Sequence, residues 1–222
     1  MQQIIDDRAC PRTQAPVLLV LLPGVHMTPD ELQQQGFVSA VRQRGLAVDV
    51  VVAGTLLDHT RDGSVIRRLR NEVIAPARAQ GYSRIWLAGI SLGGYLALHY
   101  ERSHPGELQG VLLIAPYLGK RTLTQEIEAA GGAASWRRQA AAGSAGDIDQ
   151  TLWTWLTALP AGTPPIWLAS GREDRFAAEQ KLLAGLLPPD RTHLLPGGHD
   201  WKPWRALWSH WLDRGLLPAA CP

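Results

Sequence analysis

Ser91 stands between two glycines in the string LAGISLGGYLALHY, with Gly89 two residues before it and Gly93 two residues after. A serine hydroxyl is a poor nucleophile at neutral pH, so this spacing carries chemistry only if the hydroxyl is held exposed and a base takes its proton. The context fits that demand. An apolar run, Arg84 to Ala88, precedes the motif and a helical run opens at Leu92, which is the strand, turn, helix order of a nucleophile elbow. Glycines at 89, 93 and 94 remove Cβ atoms where such a turn presses strand against helix. The bland alternative is a glycine-rich turn with an incidental serine. The string is not the dinucleotide fingerprint G-x-G-x-x-G, because Ser91 occupies the place of the second glycine.

A base must follow. The chain has seven histidines. His199, in LLPGGHDW, lies just after the last apolar run, at the C-terminal end of a strand, where open α/β sheets gather reactive groups. His59 and His193 read as loop or strand positions, His99 and His104 belong to the helix after the elbow, and His210 to the terminal helix. The acid should fall between serine and histidine in chain order, and Asp174 in LASGREDRF sits just past the run Ile166 to Ser170. Glu173 is its immediate competitor, and a helix cap is the structural alternative for Asp174. Backbone donors for a developing oxyanion are expected from Leu92 and from the loop LLPGVHMTPDEL, where Val25 is the expected donor and His26 the alternative.

These residues need a scaffold. Apolar runs bounded by Gly or Pro occur at 17–24, 48–54, 84–91, 110–117, 165–171 and 191–198. Runs this apolar, without alternation, predict strands covered on both faces, as in a parallel sheet. Helix-like stretches fall between them at Pro29 to Arg44, Ser64 to Gln80, Leu92 to Ser103, Ala177 to Leu187 and Trp204 to Arg214. The alternation implies βαβ crossovers in a three-layer α/β domain spanning residues 1–222. An interval at about 118–162 breaks the rhythm, is rich in Ala and Gly, and carries Trp136, Trp153 and Trp155. It is read either as a solvated helical insertion or as a lid over the site, with Gly131, Gly132, Gly143 and Gly146 as hinges.

Composition bounds the partners. Hydrophobic residues make up 45% of the 222 and charged residues 19%, a balance of folded globular domains rather than disordered chains. Lys plus Arg at 22 against Asp plus Glu at 20 leaves +2 with no basic run, so no nucleic-acid partner is expected. The longest aliphatic run, Val17 to Leu22, is far short of the roughly 20 residues that cross a bilayer. The N-terminal residues lack a positive region followed by an apolar one, so a cytoplasmic location is expected. Cys10 and Cys221 are read as free thiols, with a bridge as the alternative if the termini meet.

Taken together, the elbow, the acid and the base resemble the α/β-hydrolase superfamily from Val17 to about Arg214, and GISLGG and GGHDWKPW resemble its esterase D branch. The chain departs from the family's common His-Gly before the oxyanion loop, carrying Pro23-Gly24 instead. The resemblance implies an α/β-hydrolase fold, mostly parallel with helices on both faces and a lid-like helical insertion. It also implies a Ser91, Asp174, His199 triad that needs neither metal nor organic cofactor. The expected activity is cleavage of a small-molecule carboxylic ester through an acyl-enzyme, with His26, Trp153 and Trp155 as substrate-facing candidates. A thioesterase is the alternative, since Lys120, Arg121, Arg137 and Arg138 could meet phosphates. A non-catalytic binding protein of the same fold is a third reading, and it would usually lack a member of the triad.

Overall fold

The computed structural model describes residues 3–11, 13–54, 64–139, 147–219 and 221. The apolar runs form strands β2 (Val17–Leu22), β3 (Val48–Ala53), β4 (Ile85–Ile90), β5 (Gly110–Ile114), β6 (Ile166–Gly171) and β7 (Thr192–Leu195), all paired in parallel. A further strand, β1 (Gln3–Asp7), pairs antiparallel with β3 at the edge. Sequence reading missed β1 because QIIDD has neither the length nor the apolar continuity of a central strand. The order is β1-β3-β2-β4-β5-β6-β7, so the chain reverses direction across the sheet between β3 and β4. The C-terminal ends of β4, β6 and β7 therefore lie on one edge.

Continuous apolar strands serve two cores. Leu18, Val20 and Leu22 face one, while Val17, Leu19 and Leu21 face the other. The second face is covered by α1 (Pro29–Gln34), α2 (Phe37–Gln43) and α10 (Trp201–Asp213). In α10, Trp204, Leu207, Trp208 and Trp211 recur at helical spacing and are buried there. The expected single helix over Pro29 to Arg44 is two, because Gly36 adopts a φ of 85° between them. The first face is covered by α3 (Ser64–Leu69) and α4 (Ala75–Ala79), joined by a π-helical turn at Arg70–Ile74, and by α5 (Leu92–Ser103) and α9 (Ala177–Ala184).

The interval after β5 contributes α6 (Arg121–Ala129), α7 (Ala133–Gln139) and α8 (Ile148–Leu156) to that same face. Leu123, Ile127, Trp136, Leu152, Trp153 and Leu156 are buried with α5 and α9, so these helices extend the layer. Gly131 and Gly132, at φ of 84° and 102°, close the α6 to α7 turn, whereas Gly143 and Gly146 lie outside the described residues, as does His59. The free-thiol reading is corrected: Cys10 and Cys221 form a disulfide across a sequence separation of 211. The termini meet because the C-terminal segment runs beside the start of β3, where Ala47 N–H donates to the Pro218 carbonyl at 2.8 Å. Among the described residues no helix is long and apolar enough to cross a membrane.

Candidate active site

The elbow forms where the spacing placed it. Ser91 follows β4 directly with φ 52° and ψ −114°, a conformation that costs an L-residue on the order of 1–3 kcal/mol and persists only where the surroundings fix it. They do so through the backbone. Ser91 N–H donates to the Ile114 carbonyl at 3.0 Å, and the Ser91 carbonyl accepts from Gly94 at 3.0 Å and Tyr117 at 3.1 Å. A Cβ on Gly89 would lie 2.2 Å from the Gly93 carbonyl oxygen, so strand and helix meet backbone to backbone.

His199 reaches Ser91 from β7. Its Nε2 lies 3.0 Å from Ser91 Oγ and its Nδ1 2.8 Å from Asp174 Oδ2. The His199 side chain is 8% exposed and that of Asp174 is 0% exposed. The second oxygen of Asp174 accepts the Phe176 N–H at 2.8 Å, which fixes the carboxylate's orientation. Asp200 caps α10 through Lys202 N–H at 3.0 Å, so the helix starts at Trp201, three residues before the sequence expectation. His199 thus sits between the end of β7 and a capped helix.

The structure brings Val25 and Leu92 to the same edge. A Cβ on Gly93 would lie 2.0 Å from the Leu22 carbonyl oxygen, so the loop carrying Val25 lies against the first turn of α5. Leu92 is the first residue of α5, where N–H groups lack intrahelical acceptors. His26 is exposed, at a φ of 61°. Trp153 is a correction: it is 0% exposed, and its Nε1 donates to the Leu118 carbonyl at 2.9 Å, so it is a core residue without a face toward substrate. Trp155 is half-buried against the same core. Trp136 is buried and donates to Glu126. Lys120 is paired with Asp147 at 2.6 Å, and Arg138 bonds Ser135.

Aromatic residues that the sequence reading did not single out surround the base. Phe176 and Trp204 each present a ring edge-on at 4.9 Å from His199, and Tyr117 lies 5.5 Å from Phe176. Their signal in the sequence was position, since Tyr117 and Phe176 come just past the C-terminal ends of β5 and β6. The segment bearing Tyr117 is held from several sides. Gln180 donates to the Pro116 carbonyl at 3.1 Å, and Asp149 accepts Lys120 N–H at 3.0 Å and the Tyr95 hydroxyl at 2.6 Å. Burial pushes the Tyr117 phenol up to about 12 and the Glu179 carboxyl, which lies near Asp174, up to about 7. Among the described residues no group of three or more His, Cys, Asp or Glu could hold a metal ion.

This sheet order, with an elbow after β4 and partners after β6 and β7, is that of the α/β-hydrolase fold. The family described as "Putative esterase" matches residues 66–210, and the chain belongs to it: it is an ester-cleaving hydrolase. No curated protein matches the sequence. Solved structures share the fold at low identity. The serine hydrolase FphF of Staphylococcus aureus is 12% identical, with 95% of this chain and 84% of that one aligned at a TM-score of 0.62. S-formylglutathione hydrolase FrmB of the same organism is 14% identical over 90% and 82% at 0.59. A monoacylglycerol lipase of Paleococcus ferrophilus is 13% identical over 96% and 98% at 0.59.

Proposed function

We propose that the chain hydrolyses small-molecule carboxylic esters through an acyl-enzyme on Ser91. The observation that carries this reading is one imidazole bridging Ser91 Oγ at 3.0 Å and Asp174 at 2.8 Å. A carboxylate can only accept, so Nδ1 carries the hydrogen and Nε2 is left to accept the serine proton. Ser91 Oγ attacks the acyl carbon as Nε2 takes its proton. The tetrahedral intermediate then collapses, its C–O bond breaks, and Nε2 protonates the leaving alkoxide. Water repeats the sequence, releasing the acid and restoring the serine. Asp174 holds the imidazole in register and stabilises its charged form.

The N–H groups of Leu92 and Val25 receive the oxyanion in this reading, supported by the contact of the Val25 loop with α5. Tyr117 and Phe176 wall the acyl side, with His26 at the rim. The helices α6, α7 and α8 buttress the segment bearing Tyr117 and belong with it to a single domain. Thioester cleavage draws less support, because Lys120 is already paired with Asp147. The expected cytoplasmic location sits poorly with the Cys10–Cys221 bond, since disulfides persist in oxidising compartments. Ser91→Ala tests the reading: aryl-ester turnover should fall by on the order of 10⁴ to 10⁶ with the fold intact. A variant that keeps wild-type turnover would remove Ser91 from the chemistry.

A further inference from the structure

We infer that Glu173 is a positioning residue for His199, holding the loop before the base through the N–H of Gly197; this rests on the triad reading above. The β6 to β7 ladder ends with Gly171 opposite Leu195, and one more bond, Arg172 N–H to the Leu195 carbonyl at 2.9 Å, carries it past the strands. There the regular ladder ends. Pro196 has no N–H to donate. The acid turn meanwhile curls back on itself, with Asp174 N–H donating to the Gly171 carbonyl at 3.3 Å.

The next donor on the histidine loop is Gly197 N–H, and the Glu173 side chain supplies its acceptor, Oε2. The pairing is reciprocal, because Glu173 N–H donates to the Gly197 carbonyl at 3.1 Å. Gly197 needs this fixing. Its φ is 135°, and its neighbours leave it no room: a Cβ there would meet Pro203 at 2.9 Å, while one on Gly171 would meet the Gly197 carbonyl oxygen at 2.0 Å.

Two adjacent carboxylates therefore grip one loop at different points. Asp174 takes the ring of His199, and Glu173 takes the peptide two residues before it. On the far side Asp200 fixes the loop by capping α10. With the Glu173 side chain gone, the loop keeps the Glu173 N–H bond to the Gly197 carbonyl and the Asp200 cap but loses one support two residues before the base. The loss therefore falls on the placing of Nε2 and on proton transfer more than on binding. An amide oxygen accepts an N–H as a carboxylate does, so glutamine should replace glutamate where alanine does not.

The test compares Glu173→Ala and Glu173→Gln with wild type in ester kcat and KM, thermal midpoint and rate of labelling by a fluorophosphonate. The probe reads Ser91 activation without depending on the choice of ester. Glu173→Ala should lower kcat and labelling about tenfold with KM within about twofold, the rate equivalent of one hydrogen bond. Glu173→Gln should restore most of that loss. An alanine variant that labels at the wild-type rate, or a glutamine variant as slow as alanine, overturns the inference. Wild type that resists the probe overturns the triad reading itself, and this inference with it.

Discussion

Gly93 meets Leu22 so closely that a Cβ on the glycine would sit 2.0 Å from the Leu22 carbonyl oxygen. This contact joins the two segments proposed to supply the oxyanion donors, the loop after β2 and the start of α5. Gly93→Ala must push them apart. Removal of an oxyanion donor costs on the order of 10² to 10³ in kcat, and a comparable loss is expected here. The check is kcat beside a near-ultraviolet dichroism spectrum, which should show a folded protein.

Asp174 and Glu173 are neighbours in sequence with different partners in space. Asp174→Asn should lower kcat by on the order of 10⁴, because an amide can stabilise the wrong imidazole tautomer. Steady-state kinetics on a short aryl ester measures it, and a near-normal rate would take Asp174 out of the triad.

Trp153 lies in the core, whereas Phe176 lies against His199 and is proposed to wall the acyl side. Trp153→Ala deletes a fully buried indole that is bonded to Leu118, and should destabilise by about 3–5 kcal/mol while leaving the acyl chain-length profile of kcat/KM unchanged. Phe176→Ala should do the reverse, flattening the profile with a small change in stability. Urea unfolding and an ester series distinguish the two patterns.

Much of this was legible in the sequence. The parallel strands announced themselves because burial on both faces demands uninterrupted apolar runs, as in Val17–Leu22. That Ser91, Asp174 and His199 would come together was legible because each lies past the C-terminal end of a strand, β4, β6 and β7 in turn. Trp153 was misjudged, since an amphipathic helix looks the same whether its apolar face covers a substrate or a sheet. Local spacing also could not reveal that Cys10 and Cys221 meet, because the pairing depends on where the C-terminal segment returns beside Ala47. The partner of Glu173 was hidden for the same reason.

Glu179 gives a pH signature. Burial raises its carboxyl from 4.5 to about 7, so between those values the folded state keeps a proton that the unfolded state has released. Stability from this group is full below 4.5 and is lost as pH rises through 7. His99, buried and held down to about 3, works with the opposite sign, which makes the difference between wild type and Glu179→Gln the useful quantity. The urea midpoint of the variant minus that of wild type should rise from pH 5 to pH 8, and a signed difference that stays flat or falls over that range would contradict the assignment.

The Cys10–Cys221 bond closes nearly the whole chain, at a separation of 211. Constraining so long a loop in the unfolded state is worth on the order of 3–5 kcal/mol, or about 10 °C in thermal midpoint. Cys10 packs with Ala15 and Ala47 at the N-terminal ends of β2 and β3, away from the triad edge. Cys10→Ser with Cys221→Ser should therefore lower the midpoint and spare kcat at 25 °C, as a melting curve and an ester assay on the same sample would show.

An acyl-enzyme requires a covalent bond between the acyl group and Ser91 Oγ. Rapid quench of the enzyme with a slowly deacylating aryl ester, followed by peptide mass spectrometry, reads that bond directly. One acyl mass increment is expected on the peptide holding Ser91, formed with a burst of phenol and absent in Ser91→Ala. Phenol release at the full rate with Ser91 unmodified, or the increment on another residue, would contradict it.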